Sequence, residues 1–438
     1  MPIALTIAGS DSVGGAGLQA DLKAFEAVGV HGCSVITCVT SQNTKRVSAI
    51  YPLPLEVISS QLESVLEDVK LDAVKTGMLY NGEIAELIAS RIRKGVGPIV
   101  VDPVLAATTG ASLHSTGLVE AIIKKLVPIC ALLTPNALEA SEISGVQVKD
   151  EKTANEAGFE ILEMGARGVL IKGGHLKGQD AADYLFTGGK VTKFATPRAW
   201  GDVHGTGCAL ASLIAGNLAL DHDLAESVRL SKRVIYKAIV ARENVGHGVP
   251  CANPLAALRT EAMKVGMLEE LQDAGAQLEE ILDAELLPEV GSNMGYSILG
   301  PLDADDVAAF DGRIVRTGQG ARVVGSPRFG ASKHVARIVL AAGCHDPDMR
   351  CALNIKYSEL NLVACKKAQL SIASFARARE PRGVSSMTWG VHKAIQNHGG
   401  VPDVIFDKGG VGKEPMIRIL GHSPDDVVSK LRLLKSKR

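Results

Sequence analysis

The chain has 438 residues, 46% of them hydrophobic and 22% charged, which is ample for a large buried core and too long for one average domain. Lys+Arg 47 against Asp+Glu 48 leaves a formal net charge of −1, so charge gives no case for a nucleic-acid or acidic-membrane partner. Aromatics at 4% and 46 scattered glycines exclude a base-stacking platform and the fibrous and disordered classes, and point to tight turns and backbone close to ligands.

The opening MPIALTIAGSDS has no basic stretch and too short an apolar run for a signal peptide, and no run approaches a membrane span. The eight cysteines form no C-x-x-C pair and read as reduced, mostly buried thiols, so a cytoplasmic protein is expected.

From residue 3 to about 245 short apolar runs alternate with amphipathic helical stretches. The runs 3–8, 34–40, 73–76, 99–102, 131–134 and 168–172 read as buried strands, while Leu18, Leu22, Phe25 and Val28 share a helical face. This alternation predicts an α/β domain with a mostly parallel sheet over 1–250, whose ligands sit beyond the carboxyl ends of the strands. The turn-rich stretch 246–254 predicts a boundary, followed by a helical connector over 251–287. From Pro288 a second set of apolar runs (312–317, 335–342, 370–375, 404–406) predicts a second α/β domain over 288–438. No internal repeat links the halves.

Three strand-end segments carry chemistry. Gly9-Ser10-Asp11-Ser12-Val13-Gly14-Gly15-Ala16-Gly17 joins strand to helix; it is neither G-x-G-x-x-G nor a Walker A, and by itself reads equally as an anion turn or as tight packing. Gly205-Thr206-Gly207-Cys208 opens an apolar helix, aiming unpaired N–H groups at one point. A cysteine there feels the positive end of the helix dipole, which predicts a lowered pKa; the plainer reading is a small buried thiol in a close helix contact. Asp102, Glu139 and Lys172 follow other predicted strands, where carboxylates suit Mg²⁺ held through water and phosphate oxygens. Each alone reads as a cap or turn residue; together they favour phosphoryl transfer.

With Gln19-Ala20-Asp21, Ser41-Gln42-Asn43-Thr44, Gly77-Met78-Leu79, Thr134-Pro135-Asn136 and Lys172-Gly173-Gly174-His175, these segments resemble the hydroxymethylpyrimidine/phosphomethylpyrimidine kinase family of the ribokinase-like superfamily. The resemblance implies two ATP-dependent phosphorylations of 4-amino-5-hydroxymethyl-2-methylpyrimidine. It implies that Asp21 and Gln42 hydrogen-bond the aminopyrimidine, with Met78 and Gly9 beside it. Gly205, Thr206, Gly207 and Cys208 would form the anion hole, with Cys208 as the base. Asp102 and Glu139 would serve Mg²⁺, while Asn136 and Lys172 would support the nucleotide phosphates. Val13 stands where the family usually has Gly. Related kinases phosphorylate pyridoxal, so a pyridoxine-type side activity is an alternative, and a homodimer or higher homo-oligomer is expected by analogy.

In the second half, Ser332 is a candidate N-cap before Lys333, His334, Val335 and Arg337, with Val335, Ile338 and Val339 as the buried face. Lys333, His334 and Arg337 could form a phosphate pocket or an ordinary solvated helix start. Arg313 and Arg316 on an extended segment should face different ways. Arg377, Arg379 and the Gly-rich cationic loop 407–415 are further anion candidates, and His392 and His398 lack metal spacing. These segments, with Pro288–Asn293, Asn354-Ile355 and Glu380-Pro381, resemble the archaeal-type thiamine-phosphate synthase domain. That resemblance implies coupling of the pyrimidine diphosphate to a thiazole phosphate, with functional Arg and His mapping to Arg313 and His334. The alternative is a domain that senses thiamine phosphate without catalysis. Expected partners are small molecules, with no nucleic acid and no membrane.

Overall fold

Successive residues of the central strands feed two different cores, which is why the N-terminal strands read as unbroken apolar runs. Leu5, Ile7, Val74, Val101, Leu133, Val169 and Ile171 enter one cluster, while Ala4, Ala73, Val100, Leu132 and Leu170 enter another. Period-two alternation between two buried faces is the mark of a parallel sheet covered on both sides by helices.

The computed structural model describes all residues except 93–95, 107–112, 114, 116, 175, 177, 179, 200, 319, 378, 379, 381–385 and 411. His175, Arg379, Pro381 and Val411 of the expected motifs therefore lie outside the described residues. The chain divides into two compact units, Met1–Leu258 and Arg259–Arg438.

In the first unit β1 (Ile3–Asp11), α1 (Gly17–Ala27), β2 (His31–Gln42), β3 (Val47–Pro52), α2 (Leu55–Asp68), β4 (Ala73–Thr76), α3 (Gly82–Arg91) and β5 (Ile99–Val101) come first. Then follow α4 (Leu118–Ala121), β6 (Leu132–Leu133), α5 (Ala137–Ser144), α6 (Glu151–Glu163), β7 (Val169–Ile171), β8 (Asp180–Thr187) and β9 (Lys190–Pro197). The unit closes with α7 (Thr206–Ala219) and α8 (Leu224–Val240). The nine strands run in the order β3-β2-β1-β4-β5-β6-β7-β8-β9. Strands β2, β1, β4, β5, β6 and β7 pair in parallel, while β3, β8 and β9 add antiparallel edges. The strand order reverses between β1 and β4, so the loops after β1, β4 and β5 border a crevice at the switch point. Strands β3 and β9 escaped the sequence reading because most of their residues are at least partly exposed and lack an apolar run.

The second unit takes in most of α9 (Ala256–Ile281), then β10 (Met294–Ser297), β11 (Val307–Phe310), β12 (Arg313–Thr317), β13 (Gly320–Val324), β14 (Pro327–Phe329), α10 (Lys333–Gly343) and β15 (Cys351–Lys356). It ends with α11 (Glu359–Lys367), β16 (Ile372–Ser374), α12 (Ser386–His398), β17 (Val404–Asp407), β18 (Met416–Gly421) and α13 (Pro424–Ser436). Seven strands in the order β14-β11-β10-β15-β18-β17-β16 form a sheet that is antiparallel except where β16 meets β17, and β12 and β13 form a separate hairpin. The second domain is α/β as expected, and the apolar run 335–342 belongs to helix α10.

The expected connector over 251–287 differs from what the fold shows. Met267, Leu271, Ala274, Leu278 and Ile281 of α9 join Tyr296, Phe310, Leu353 and Ile417 in the main core of the second unit. A Cβ on Gly275 would come within 2.7 Å of the Phe310 ring, so the helix packs closely on the sheet. Its wide apolar face is thus a core face rather than a linker. Buried Asn293 and Asn354 staple that core: Asn293 Nδ2 donates to the Phe310 carbonyl at 2.9 Å, and its own backbone N–H donates to Asn354 Oδ1 at 2.8 Å.

Candidate active sites

Helix α7 is apolar on every side, with ten of its residues buried, and its N-cap is Gly205 at φ 82°. The left-handed turn at Gly205 leaves the first N–H groups of α7 without helical partners, the arrangement that receives anions. A Cβ on Gly205 would lie 1.8 Å from the Gly15 carbonyl oxygen, so the loop after β1 and the start of α7 touch backbone to backbone. One on Gly207 would lie 3.2 Å from Lys172 Nζ, which places the lysine beside the anion hole.

Lys172, just past β7, donates to Asp102 Oδ1 at 2.7 Å and lies 4.0 Å from Glu139 Oε2. Asp102 also accepts from the Thr134 hydroxyl at 3.1 Å. Burial pushes Glu139 up to about 7, with Asp102 adding to the rise and Lys172 opposing it. Two buried carboxylates around one lysine thus leave negative charge that a further cation would relieve, and this donor set fits Mg²⁺ held through water and phosphate oxygens. Asn136 proves to be the N-cap of α5, its Oδ1 accepting from Leu138 and Glu139 N–H while Glu139 returns a bond to Asn136 N–H. That oxygen is therefore engaged in the cap, and Asn136 holds Glu139 in place.

On the other side of the crevice Gly9 and Met78 meet: a Cβ on Gly9 would stand 3.3 Å from Met78 Sδ and 2.7 Å from Cys38 Sγ. Gln42, at the end of β2, is partly exposed. Val13, in the family's usual glycine position, still donates its N–H to Asp11 Oδ1 at 3.1 Å.

Two expectations are corrected here. Asp21 does not face the crevice: it is fully buried, receives Lys75 Nζ on both oxygens at 2.8 and 2.9 Å, and accepts from the hydroxyls of Thr6 and Ser212. Every lone pair is committed beneath the site, so the residue is a buried ion-pair partner rather than a ring contact. The matching Lys75, at 0% exposure, was missed because it stands inside an apolar strand run. Its ammonium is held charged against burial mainly by Asp21. The second correction concerns Cys208. Burial pushes its thiol up to about 12, a rise that Lys75 and Lys172 oppose and Asp102 and Asp21 reinforce. The helix dipole loses to desolvation and two carboxylates, so Cys208 is a neutral thiol at neutral pH.

In the second unit the cationic residues gather. His334, in the first turn of α10, has an exposed face, yet its ring is largely shielded from water. That burial, then the charges of Arg418, Arg377, Arg313 and Arg337, push it down to about 4. His334 is therefore a neutral imidazole at neutral pH. Arg418, unmarked by the sequence, is fully buried, and its Nε has no partner. Arg418 and Arg377 share Asp407: Arg377 Nε donates at 2.5 Å and Nη2 at 3.1 Å, while Arg418 Nη2 donates at 2.7 Å. Arg313, at φ 91°, donates to the Val290 carbonyl, while Arg316 reaches the Ala284 carbonyl, so the two do part ways. Ser332 takes the N-cap position of α10 but makes no side-chain cap hydrogen bond, a further difference from the expectation. Lys333 and Arg337 are exposed.

Among the described residues no three His, Cys, Asp or Glu cluster as a metal site, and no helix is long and apolar enough to cross a membrane.

A crossover sheet carrying an anion hole, a lysine and two carboxylates beyond its strand ends defines a ribokinase-like phosphotransferase, joined here to a second, arginine-rich α/β domain. The chain belongs to the phosphomethylpyrimidine kinase family, which it matches over residues 11–253, and over residues 270–433 it matches the thiamine-phosphate synthase ThiN family. It is 35% identical over 434 residues to the bifunctional thiamine biosynthesis protein ThiDN of Methanocaldococcus jannaschii, covering 99% of this chain and 98% of that one. Among solved structures, the phosphomethylpyrimidine kinase of Clostridium difficile is 42% identical with a TM-score of 0.50, covering 55% of this chain and all of that one (100%). The pyridoxal kinase of Staphylococcus aureus in complex with AMP-PCP and pyridoxal is 31% identical with a TM-score of 0.56, covering 59% of this chain and 95% of that one.

Proposed function

We propose that the chain is a bifunctional enzyme of thiamine biosynthesis. The first unit phosphorylates 4-amino-5-hydroxymethyl-2-methylpyrimidine and then its monophosphate, using ATP. The second couples the resulting diphosphate to 4-methyl-5-(2-phosphoethyl)thiazole, giving thiamine phosphate and pyrophosphate. The observation that carries this reading is the pair of anion sites on one chain, one at Gly205–Gly207 beside Lys172 and one around His334, together with a full-length bifunctional relative.

In the kinase, the pyrimidine lies against Gly9 and Met78 with Gln42 at its polar edge. The transferred phosphoryl group faces the N–H groups of Gly205 to Cys208, and Lys172 supplies positive charge beside them. Asp102 and Glu139 would hold Mg²⁺ through water, and the ion would neutralise phosphate charge. Phosphoryl transfer through a loose transition state needs little help from a base, so a neutral Cys208 serves by orienting the substrate hydroxyl. Cys208→Ala is expected to lower kcat about tenfold, the worth of one aligned hydrogen bond, with KM for ATP nearly unchanged. Wild-type kcat should stay flat from about pH 8, above the Glu139 titration, to about pH 9.5, well below the thiol's pKa. A tenfold rise per pH unit that Cys208→Ala abolishes would instead make the thiolate the base.

In the synthase, the bond between the pyrimidine methylene and oxygen breaks with its electron pair going to pyrophosphate, and the thiazole nitrogen then bonds the methylene. The protein stabilises the departing anion with Arg313, Arg337, Arg377 and Lys333. His334, whose pKa of about 4 leaves it neutral near pH 7, gains a proton when the anion neutralises the surrounding arginines. Calorimetry in buffers of different ionisation enthalpy is expected to show greater proton uptake on pyrophosphate binding by the wild type than by His334→Ala at about pH 6, between the free and bound pKa values. Equal uptake by both proteins would show that His334 does not titrate with the anion.

The overall test is the full chain with ATP, Mg²⁺, hydroxymethylpyrimidine and thiazole phosphate. Thiamine phosphate and pyrophosphate should form, and supplied pyrimidine diphosphate should remove the need for ATP. Thiamine phosphate that binds tightly but is never produced would make the second unit a sensor. We also propose a homo-oligomer, to be checked by light scattering of the full chain; a single-chain mass would refute it.

A further inference from the structure

His204 stands where three elements of the kinase unit converge, and the chemistry above does not use it. Its backbone is fixed on both sides: its N–H donates to the Pro250 carbonyl at 2.8 Å and its C=O accepts from Ala252 N–H at 3.0 Å. The residue is 8% exposed. Its Nε2 lies 3.3 Å from Asp11 Oδ2, at the end of β1, and 2.8 Å from Gln42 Nε2, at the end of β2, two nitrogens facing each other. The next residue, Gly205, caps α7 and opens the anion hole.

The direction of the hydrogen bonds follows from the fixed ends of this network. Asp11 accepts from the N–H groups of Val13, Gly15 and Ala16. Burial acts to raise its carboxyl, but His204 and those N–H groups together hold it below the usual range, so it is ionised and can only accept. A ring nitrogen facing it carries the hydrogen, which makes His204 Nε2 a donor. Gln42 Oε1 lies 3.4 Å from Thr40 Oγ1, whose one hydrogen has the nearer acceptor in the Ser10 carbonyl at 3.0 Å. With its hydrogen committed, Thr40 Oγ1 can only accept from Gln42. Both ends favour the amide turned over from that placement, its oxygen to His204 and its NH₂ towards Thr40, with the one Nε2 hydrogen shared between Asp11 and Gln42. The two ends of a glutamine amide have the same shape, and only such a network distinguishes them.

We propose that His204 is a positioning residue that fixes the direction of the Gln42 amide, so that Gln42 offers a hydrogen-bond donor to an acceptor nitrogen on the pyrimidine ring. This rests on the reading that Gln42 faces the pyrimidine. Removing the His204 donor frees the amide to turn over and present its oxygen to that ring nitrogen, acceptor against acceptor. Asp11 acts one step further back by keeping the imidazole proton on Nε2.

The test uses the full chain with His204→Leu, His204→Gln, Gln42→Leu and the double variant His204→Leu/Gln42→Leu, with melting temperatures measured alongside. His204→Leu is expected to raise KM for hydroxymethylpyrimidine about tenfold, with KM for ATP within about twofold of wild type. His204→Gln, which can place an N–H near the same point, should recover most of that loss. The double variant should be no worse than Gln42→Leu alone, because both act through one contact. Losses that multiply in the double variant, or an equal rise in KM for ATP, would make His204 a structural residue and overturn the proposal. A raised pyrimidine KM in Gln42→Leu with none in His204→Leu would overturn the positioning role alone. An unchanged KM in Gln42→Leu would overturn the reading of Gln42 itself.

Discussion

Gly205→Ala is expected to abolish kinase turnover while leaving the synthase reaction untouched. The residue has φ 82°, a conformation that costs a side chain about 1 kcal/mol or more. The larger obstacle is steric, because the added Cβ would stand 1.8 Å from the Gly15 carbonyl oxygen. No flexible side chain can yield there; the backbone of one loop must move. The N–H groups of Gly205 to Cys208 then no longer converge on one point. Losing a single such donor typically costs about 10²- to 10³-fold in kcat, and here the whole set shifts. Synthase activity on supplied pyrimidine diphosphate should stay at the wild-type level, since Gly205 lies in the first compact unit. Kinase activity within tenfold of wild type would show that the anion hole lies elsewhere.

Asp407→Asn should have the opposite selectivity. Asp407 is fully buried and accepts from Arg377, from Arg418 and from Gly409 N–H at 2.8 Å. Asparagine keeps the shape but removes the charge that holds two guanidinium groups together. Removing one partner of a buried ion pair typically costs about 3–5 kcal/mol, because the remaining charge stays buried. Arg418 is wholly enclosed, with its Nε already without a partner, so it has no route to water. The variant should lower the melting temperature of the second unit and lose synthase activity, with kinase activity preserved. The pH dependence has a definite sign. Burial acts to raise the Asp407 carboxyl, but Arg377 and Arg418 outweigh it and hold it below the usual range. Its stabilisation is therefore present above the unfolded carboxyl pKa of about 4 and is lost as the pH falls through the lower folded value. Scanning calorimetry should show wild-type stability falling in that acid range and a flatter response in Asp407→Asn. An unchanged melting temperature at neutral pH would mean that the pair of guanidinium groups does not depend on Asp407.

Much of the kinase site was legible because its chemistry rides on local signals. Gly205 to Cys208, Asp102 and Lys172 follow strands whose apolar runs mark where a parallel sheet ends. Gly9 and Met78 were named through resemblance, and the fold brings them close together. Asp21 was misread because a carboxylate on a helix gives no sign of which side of a sheet it meets. Its partner Lys75 lies 54 residues away, inside a run of buried strand residues. His204 adjoins the most evident motif, yet its role depends on Asp11 and Gln42, which lie 193 and 162 residues away in sequence.

Sequence by itself determined the strand ends, the glycine turn that opens α7 and the family of each half, because backbone conformation and apolar periodicity are written within a few neighbouring residues. Tertiary structure alone decided which charges stay charged. Cys208 is a thiol because burial and two carboxylates outweigh a helix dipole. His334 is neutral because of burial and four arginines, three of them drawn from distant segments. Helix α9 is core rather than connector because its apolar face finds Phe310 and Ile417. Proton affinity and burial depend on what surrounds a group in space, and a single sequence does not record those surroundings.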